Sequence, residues 1–218
     1  ADFLNDLILR SQELLAAHPV NVRRRAEGKD PANSIWLWSP GYRPRMETLS
    51  EKYGFAGGSV ISAVDLIKGI GIYAGLKSID VEGATGLYDT NYEGKAAAAI
   101  GALRRDDFVF LHIEASDEAG DEGDYELKKA TVEYLDLRAV GPVVEAVLGM
   151  GEPVRIAVLP DHPTPCRLRT HTSDPVPFLI WGAGIEPDGV ERFDELSVRD
   201  GGFGEIEGSH FMDILTGK

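Results

Sequence analysis

The chain has 218 residues, 43% hydrophobic and 27% charged, which is ordinary usage for a folded domain and excludes both a disordered chain and a disulfide-stapled miniprotein. Lys and Arg number 22 against 36 Asp and Glu, a formal net charge of −14. A surface of that sign repels phosphate backbones and anionic lipid, so neither nucleic acid nor membrane is expected as a partner. Cys166 is the single cysteine, and no apolar run nears the ~20 residues that cross a bilayer, which points to a reduced, cytoplasmic setting. Residue 1 is Ala rather than Met, so the chain is expected to be processed or to be part of something longer.

In chain order, Phe3, Leu4, Leu7, Ile8, Leu14 and Leu15 recur at helical spacing and predict an opening helix that ends by His18-Pro19. Asn21 to Asn33, with Arg23, Arg24, Arg25 and Lys29, reads as an exposed connector, and a domain boundary is expected after it, dividing 1–33 from 34–218. Ile35-Trp36-Leu37-Trp38 predicts a strand closed by Ser39-Pro40-Gly41, followed by a short helix over Thr48 to Tyr53 and a strand at Ser59 to Ser62. The alternation goes on through helical Val64 to Leu76, a strand at Ile79 to Val81, helical Tyr92 to Arg105 and the strand Phe108 to Ile113. A long helix from Tyr125 to Leu148, strands at Ile156 to Leu159 and Pro177 to Trp181, and a closing helix near Phe211 to Leu215 complete it. Apolar strands separated by helices predict an α/β fold, with a mainly parallel sheet covered by helices on both faces. No internal repeat or low-complexity tract is visible.

In such sheets ligands bind beyond the carboxyl ends of the strands, which directs attention to the loops after Ile113 and Leu159. The first carries Glu114, Asp117, Glu118, Asp121, Glu122 and Asp124, six carboxylates in eleven residues. That density reads either as a cation site or as a solvated helix entry whose acids suit the helix dipole. An EF-hand is excluded, because Ala119 and Glu122 occupy its third and glycine positions. The second loop has Asp161 and His162 side by side, with His171 nine residues on in a proline-stiffened segment. Carboxylate oxygen with imidazole nitrogen suits Mn²⁺, Zn²⁺ or Fe better than Ca²⁺.

Other patterns carry less. Gly69-Ile-Gly71-Ile-Tyr-Ala74 imitates a dinucleotide fingerprint but lies inside a helical run rather than in a strand-to-helix turn, and no Gly-x-Ser-x-Gly elbow exists. His112 lies within an apolar strand and reads as a core or wall residue. Tyr88-Asp89-Thr90-Asn91 reads as a turn and helix N-cap.

Several stretches together resemble the archaeal-type, cofactor-independent phosphoglycerate mutases of the alkaline phosphatase superfamily. They are His18-Pro-Val-Asn21, Pro31-Ala-Asn-Ser-Ile-Trp-Leu-Trp38, Val60-Ile-Ser-Ala-Val-Asp-Leu-Ile-Lys-Gly-Ile-Gly71 and Glu82-Gly-Ala-Thr-Gly86, continuing with Asp89-Thr-Asn91, His112-Ile-Glu-Ala115, Leu159-Pro-Asp-His-Pro-Thr-Pro165 and Leu168-Arg-Thr-His-Thr-Ser-Asp-Pro-Val-Pro-Phe178.

The resemblance implies an alkaline phosphatase-like core, present in part. It implies interconversion of 3-phosphoglycerate and 2-phosphoglycerate through a phosphoserine, with two divalent ions, Mn²⁺ or Mg²⁺ and in some members Zn²⁺. By the same resemblance, Asp161 and His162 match the ligands of one ion, and Asp117 and His171 match ligands of the other. Lys68 matches a catalytic lysine that meets the substrate phosphate, and Arg43 a substrate-binding arginine. The family carries Asp-Glu-Ala-Gly-His in the acidic loop, where this chain has Asp121 in place of the ligating histidine, an exchange that favours harder ions or weakens the site. Family members are also much longer, and their early part supplies the nucleophilic serine. This chain resembles their carboxyl-terminal portion, with residues 1–33 ending an inserted domain, the missing amino-terminal half as a partner, and no activity expected of the chain alone. A related metal-dependent phosphatase or phosphotransferase, and a non-catalytic domain with a degenerate site, are the alternatives.

Overall fold

Helices and strands alternate along the chain in a computed structural model that describes residues 2–37 and 41–218. The chain divides into two units, Ala1–Arg45 and Met46–Lys218.

The first unit holds helices α1 (Asp2–Ala17) and α2 (Pro19–Ala26). The second of these corrects the expected connector. Pro19 occupies the first helical turn, where a missing N–H costs nothing, and His18 caps it by accepting from Val20 N at 3.3 Å. Asn21 is 3% exposed and staples the unit: its side-chain nitrogen donates to the carbonyls of Leu15 and Ala32 at 2.9 and 2.8 Å, while its oxygen accepts from Ala32 N. Residues 35–37 of the expected Trp strand form no ladder; Trp38, Ser39 and Pro40 lie outside the described residues.

The second unit opens with α3 (Leu49–Tyr53), closed by a reciprocal capping box between Thr48 and Glu51. Three parallel strands follow, β1 (Gly58–Ile61), β2 (Lys77–Ile79) and β3 (Phe108–Leu111), in the order β2-β1-β3. Helix α4 (Asp65–Tyr73) connects β1 to β2, and α5 (Tyr92–Leu103) connects β2 to β3. The two crossovers run in opposite directions across β1, so right-handed connection puts the helices on opposite faces. Asn91 caps α5 as expected, accepting from Gly94 N at 2.8 Å. All four residues of β1 are buried, and Val60 and Ile61 are the sheet's centre, whereas β3 is half-buried.

The remaining elements are α6 (Ala115–Glu122), α7 (Tyr125–Leu135), a π-helical stretch Asp136–Val140, α8 (Gly141–Leu148), β4 (Arg155–Val158), β5 (Leu179–Gly182) and α9 (Phe211–Thr216). Three differences from the expected pattern have local causes. The acidic stretch after Ile113 is a helix rather than a loop, because Asp117 N bonds Glu114 O at 2.7 Å and Gly123 supplies the left-handed C-cap. The long helix is interrupted just before Gly141-Pro142, where proline removes a ladder N–H and crowds the carbonyl four residues back. Finally, β5 pairs antiparallel with β4 in a sheet of their own, and among the described residues no ladder joins β4 to β3.

Arg138, within the π-helical stretch, forms a two-pronged pair with Glu93 of α5 at 2.6 and 2.9 Å and stacks over the Tyr92 ring. The bulge is thereby tied to the helix that covers the sheet.

Of the two glycines that imitate a dinucleotide fingerprint, only Gly71 has a packing role. Gly71 is where α4 touches β1: a Cβ there would lie 2.6 Å from Val60 Cγ1, while a Cβ on Gly69 would meet nothing within 4 Å. Alanine should therefore act with opposite sign at the two positions. Gly71→Ala overpacks a buried contact and is expected to cost about 1–3 kcal/mol, whereas Gly69→Ala gains helix propensity worth up to about 1 kcal/mol. Urea denaturation midpoints should fall for the first and rise for the second.

Candidate metal centre

Strand β3 delivers His112, Glu114 and helix α6, and strand β4 delivers the segment from Pro160 to His171. These two strand ends meet at Asp117, in the first turn of α6. His171 Nε2 lies 3.4 Å from Asp117 Oδ1 and His162 Nδ1 lies 3.9 Å from the same oxygen. The two imidazole rings stack with centroids 3.7 Å apart. One donor atom from each of Asp117, His162 and His171 falls within 4.8 Å of the other two. Asp161 is exposed and pairs with His162 Nε2 at 3.5 Å.

The three donors are Asp117, His162 and His171, and the other expected site residues are not among them. Asp121 is exposed, one helical turn beyond Asp117 on α6. Lys68, on α4, is ion-paired with Asp80 at 2.7 Å, and that carboxylate holds its ammonium above the usual lysine range. Arg43 belongs to the first unit, in a stretch without regular structure.

Close approach makes the meeting of α6 with the β4 segment feasible. Gly120 is buried on α6, and a Cβ there would collide with the Thr164 carbonyl oxygen. The same carbonyl accepts from Lys128 Nζ of α7 at 2.5 Å. Thr164 is 3% exposed, and its hydroxyl donates to Asp117 Oδ1.

Behind the cluster lies a polar chain that no sequence motif announced. Ser62, at the end of β1, contacts His112 Nδ1 at 3.0 Å, and His112 Nε2 contacts Glu114 Oε2 at 3.2 Å. A Ser-His-Glu series suggests a nucleophile, but Ser62 is 3% exposed and its oxygen already accepts from Val64 N at 3.0 Å. It serves as a tie between neighbouring strand ends, reinforced by His112 N donating to Ile61 O at 2.8 Å. Lys95 of α5, 1% exposed, donates to Thr85 O at 3.3 Å. Burial pushes its ammonium below the usual lysine range, against the opposing pull of Glu114. The only available signal was the apolar run around His112; the pairing across 50 residues had none.

Electrostatics in this region are adverse to an uncompensated site. Burial, then the charges of Asp117, Asp161 and Glu118, push the Glu114 carboxyl above its ordinary range. Burial also pushes the His112 imidazole below its ordinary range. An imidazole depressed by folding contributes stability above its unfolded pKa of about 6.5 and loses it as pH falls below that value. Glu114 acts in the opposite direction, since the folded state takes up its proton first and gains from acidification. Thermal midpoints in chelator should accordingly fall less on mild acidification in His112→Gln than in the parent chain, and more in Glu114→Gln. Gly120→Ala, by forcing α6 off the Thr164 carbonyl, should cost about 1–3 kcal/mol in denaturant titration.

Comparison with known proteins gives this geometry a family. The model of the Metalloenzyme superfamily matches residues 12–218. Relatives named 2,3-bisphosphoglycerate-independent phosphoglycerate mutase include one from Methanosarcina acetivorans, 53% identical over 99% of this chain and 54% of its own length. A Geobacter sulfurreducens relative, named as a probable mutase of this kind, is 50% identical over all of this chain and 54% of its own. A solved Pyrococcus horikoshii structure superposes with a TM-score of 0.89 at 37% identity, covering 99% of this chain and 56% of that one. The cofactor-independent phosphoglycerate mutase of Thermoplasma acidophilum superposes at 0.60 with 27% identity, covering 99% and 51%. The chain thus spans about half the length of the curated relatives it matches. The expected α/β alkaline phosphatase-like core with its parallel sheet agrees with these neighbours, and divalent metal use comes with the group. The chain belongs to the Metalloenzyme superfamily.

Proposed function

We propose that this chain carries the metal-holding part of a phosphoglycerate mutase site, for the interconversion of 3-phosphoglycerate and 2-phosphoglycerate in glycolysis, a cytoplasmic reaction. The observation that carries the reading is the convergence of Asp117, His162 and His171 within 4.8 Å, in a chain half identical to proteins of that name. The donor set fits divalent cations: one carboxylate and two imidazoles at the cluster, with Asp161 beside His162. Asp161 with His162 would hold one ion, and Asp117 with His171 the other. An aspartate at position 121, where the family carries imidazole, favours Mg²⁺ or Mn²⁺ over Zn²⁺.

The chemistry of the substrate supports the same conclusion. Phosphoglycerate is a multiply charged anion, and the charges of Asp117, Asp161 and Glu118 all act on Glu114 beside the ligand cluster. Carboxylates repel such a ligand unless positive charge intervenes. Divalent ions held by Asp117, Asp161, His162 and His171 would supply that charge and would polarise phosphoryl oxygens. Lys68 is the substrate-phosphate cation of this reading, exchanging Asp80 for the ligand, and Arg43 is its second substrate cation. The reading assigns the nucleophilic serine to no residue of this chain, and its partner is the polypeptide segment that supplies it, with residues 1–33 as the end of an inserted domain.

The purified chain should bind Mn²⁺ and gain thermal stability from it, and Asp161→Ala or His171→Ala should weaken that binding at least tenfold by titration calorimetry. Mutase turnover by the chain with Mn²⁺ should stay at background. Strong turnover would relocate the nucleophile into these 218 residues. The exposure of Asp121 favours one rival, a scaffold with a degenerate site. Absence of Mn²⁺ uptake and of any thermal shift would decide for it.

A further inference from the structure

The cluster contains two ligand pairs facing one another across a single hydroxyl. His171 Nε2 is 3.4 Å from Asp117 Oδ1, and His162 Nε2 is 3.5 Å from Asp161 Oδ2. Thr164 belongs to neither pair. Its Oγ1 donates to Asp117 Oδ1 and lies 3.3 Å from His162 Nδ1.

Proton accounting limits the directions these contacts can take. A threonine hydroxyl has one proton and can also accept. An ionised carboxylate has no proton to give, so the hydroxyl proton points at Asp117. Toward His162 the same oxygen can therefore only accept. That contact is a hydrogen bond when Nδ1 carries the ring hydrogen, the tautomer that leaves the lone pair on Nε2, the nitrogen beside Asp161.

The surroundings immobilise this hydroxyl more firmly than a surface threonine. Pro163 and Pro165 fix the backbone on either side. The Thr164 carbonyl is held by Lys128 Nζ at 2.5 Å, and the Pro163 carbonyl by Thr172 N at 3.1 Å. A β-branched side chain has a stiff χ1. The methyl faces Gly120, where an added Cβ would lie 2.9 Å from Thr164 Cγ2, and the hydroxyl faces Asp117. Glycine on α6 and a branched hydroxyl residue on the β4 segment are thus complementary.

We propose that Thr164 is a positioning residue that bridges the two ligand pairs, donating to Asp117 Oδ1 and accepting from His162 Nδ1–H, so that His162 presents Nε2 to a cation. The proposal rests on the metal reading only for what Nε2 binds. The bridge and the ring tautomer belong to the metal-free chain and can be measured there.

Nitrogen NMR of histidine-labelled, metal-free chain, at alkaline pH where the imidazoles are neutral, reads the tautomer directly. His162 should carry its proton on Nδ1 in the parent chain and in Thr164→Ser, which keeps the hydroxyl. Thr164→Val, close in shape but without that oxygen, should release the ring to the other tautomer and weaken Mn²⁺ binding about tenfold or more, with Thr164→Ser near the parent value. A proton on Nε2 in the parent chain overturns the proposal, and that spectrum decides the matter even if Thr164→Val does not fold. So does an unchanged tautomer in Thr164→Val. A shifted tautomer with unchanged Mn²⁺ affinity overturns the link between bridge and cation. If the parent chain shows the Nδ1–H tautomer and takes up no Mn²⁺, the bridge stands and the metal reading falls.

Discussion

The hydrogen bond from Thr164 to Asp117 joins two segments 47 residues apart, and most of what is distinctive in the second unit serves that contact. Asp117 reaches it because β3 runs beside β1 and is locked to it at its end by Ile61, Ser62 and His112. Thr164 reaches it because Lys128 pulls its carbonyl toward α7 and Gly120 leaves room for that carbonyl against α6. A buried hydroxyl meeting a carboxylate is a charge-assisted bond, and a buried group that loses its partner costs more than the bond contributes. The contact is therefore sensitive to any change that separates α6 from the β4 segment by a few tenths of an ångström.

Charge is the second constraint. In a chain of net charge −14, burial and then the charges of Asp117, Asp161 and Glu118 push the Glu114 carboxyl above its ordinary range. Like charges so arranged are unfavourable unless something compensates them. His162 opposes the rise at Glu114, and burial disfavours the charged form of His112. Lys95 is buried nearby, with its charged form disfavoured.

Much of this was legible in the residue order. The α/β class, the strands at Ser59 and Phe108, the capped helix at Asn91 and the two ligand-bearing strand ends all have local signals, namely apolar runs, a cap residue and clustered acids beside a proline-stiffened histidine loop. Other elements resisted for physical reasons. Arg23, Arg24 and Arg25 suggested an exposed connector, and they are indeed exposed, but a short helix with Pro19 in its first turn tolerates them. The acids after Ile113 suggested a loop because charge density hides helix propensity, and α6 forms because its ends are satisfied by Glu114 and Gly123. The apolar run from Leu179 is read equally well as a parallel or an antiparallel strand, and only its ladder with β4 distinguishes them.

Sequence alone determined which side chains are available for chemistry and which strand ends carry them, because periodicity and ligand type are local properties of the chain. It determined that Asp117, Asp161, His162 and His171 are candidates, but it could not say that a threonine between two prolines connects them. Tertiary structure decided that His171 faces Asp117, that His162 faces Asp161, that Asp121 points to solvent, and that Ser62 is held against His112 rather than exposed. These outcomes depend on hydrogen bonds and close approaches between segments far apart in sequence, whose geometry is set by how α6, α7 and the β4 segment pack and by no pattern within any one of them.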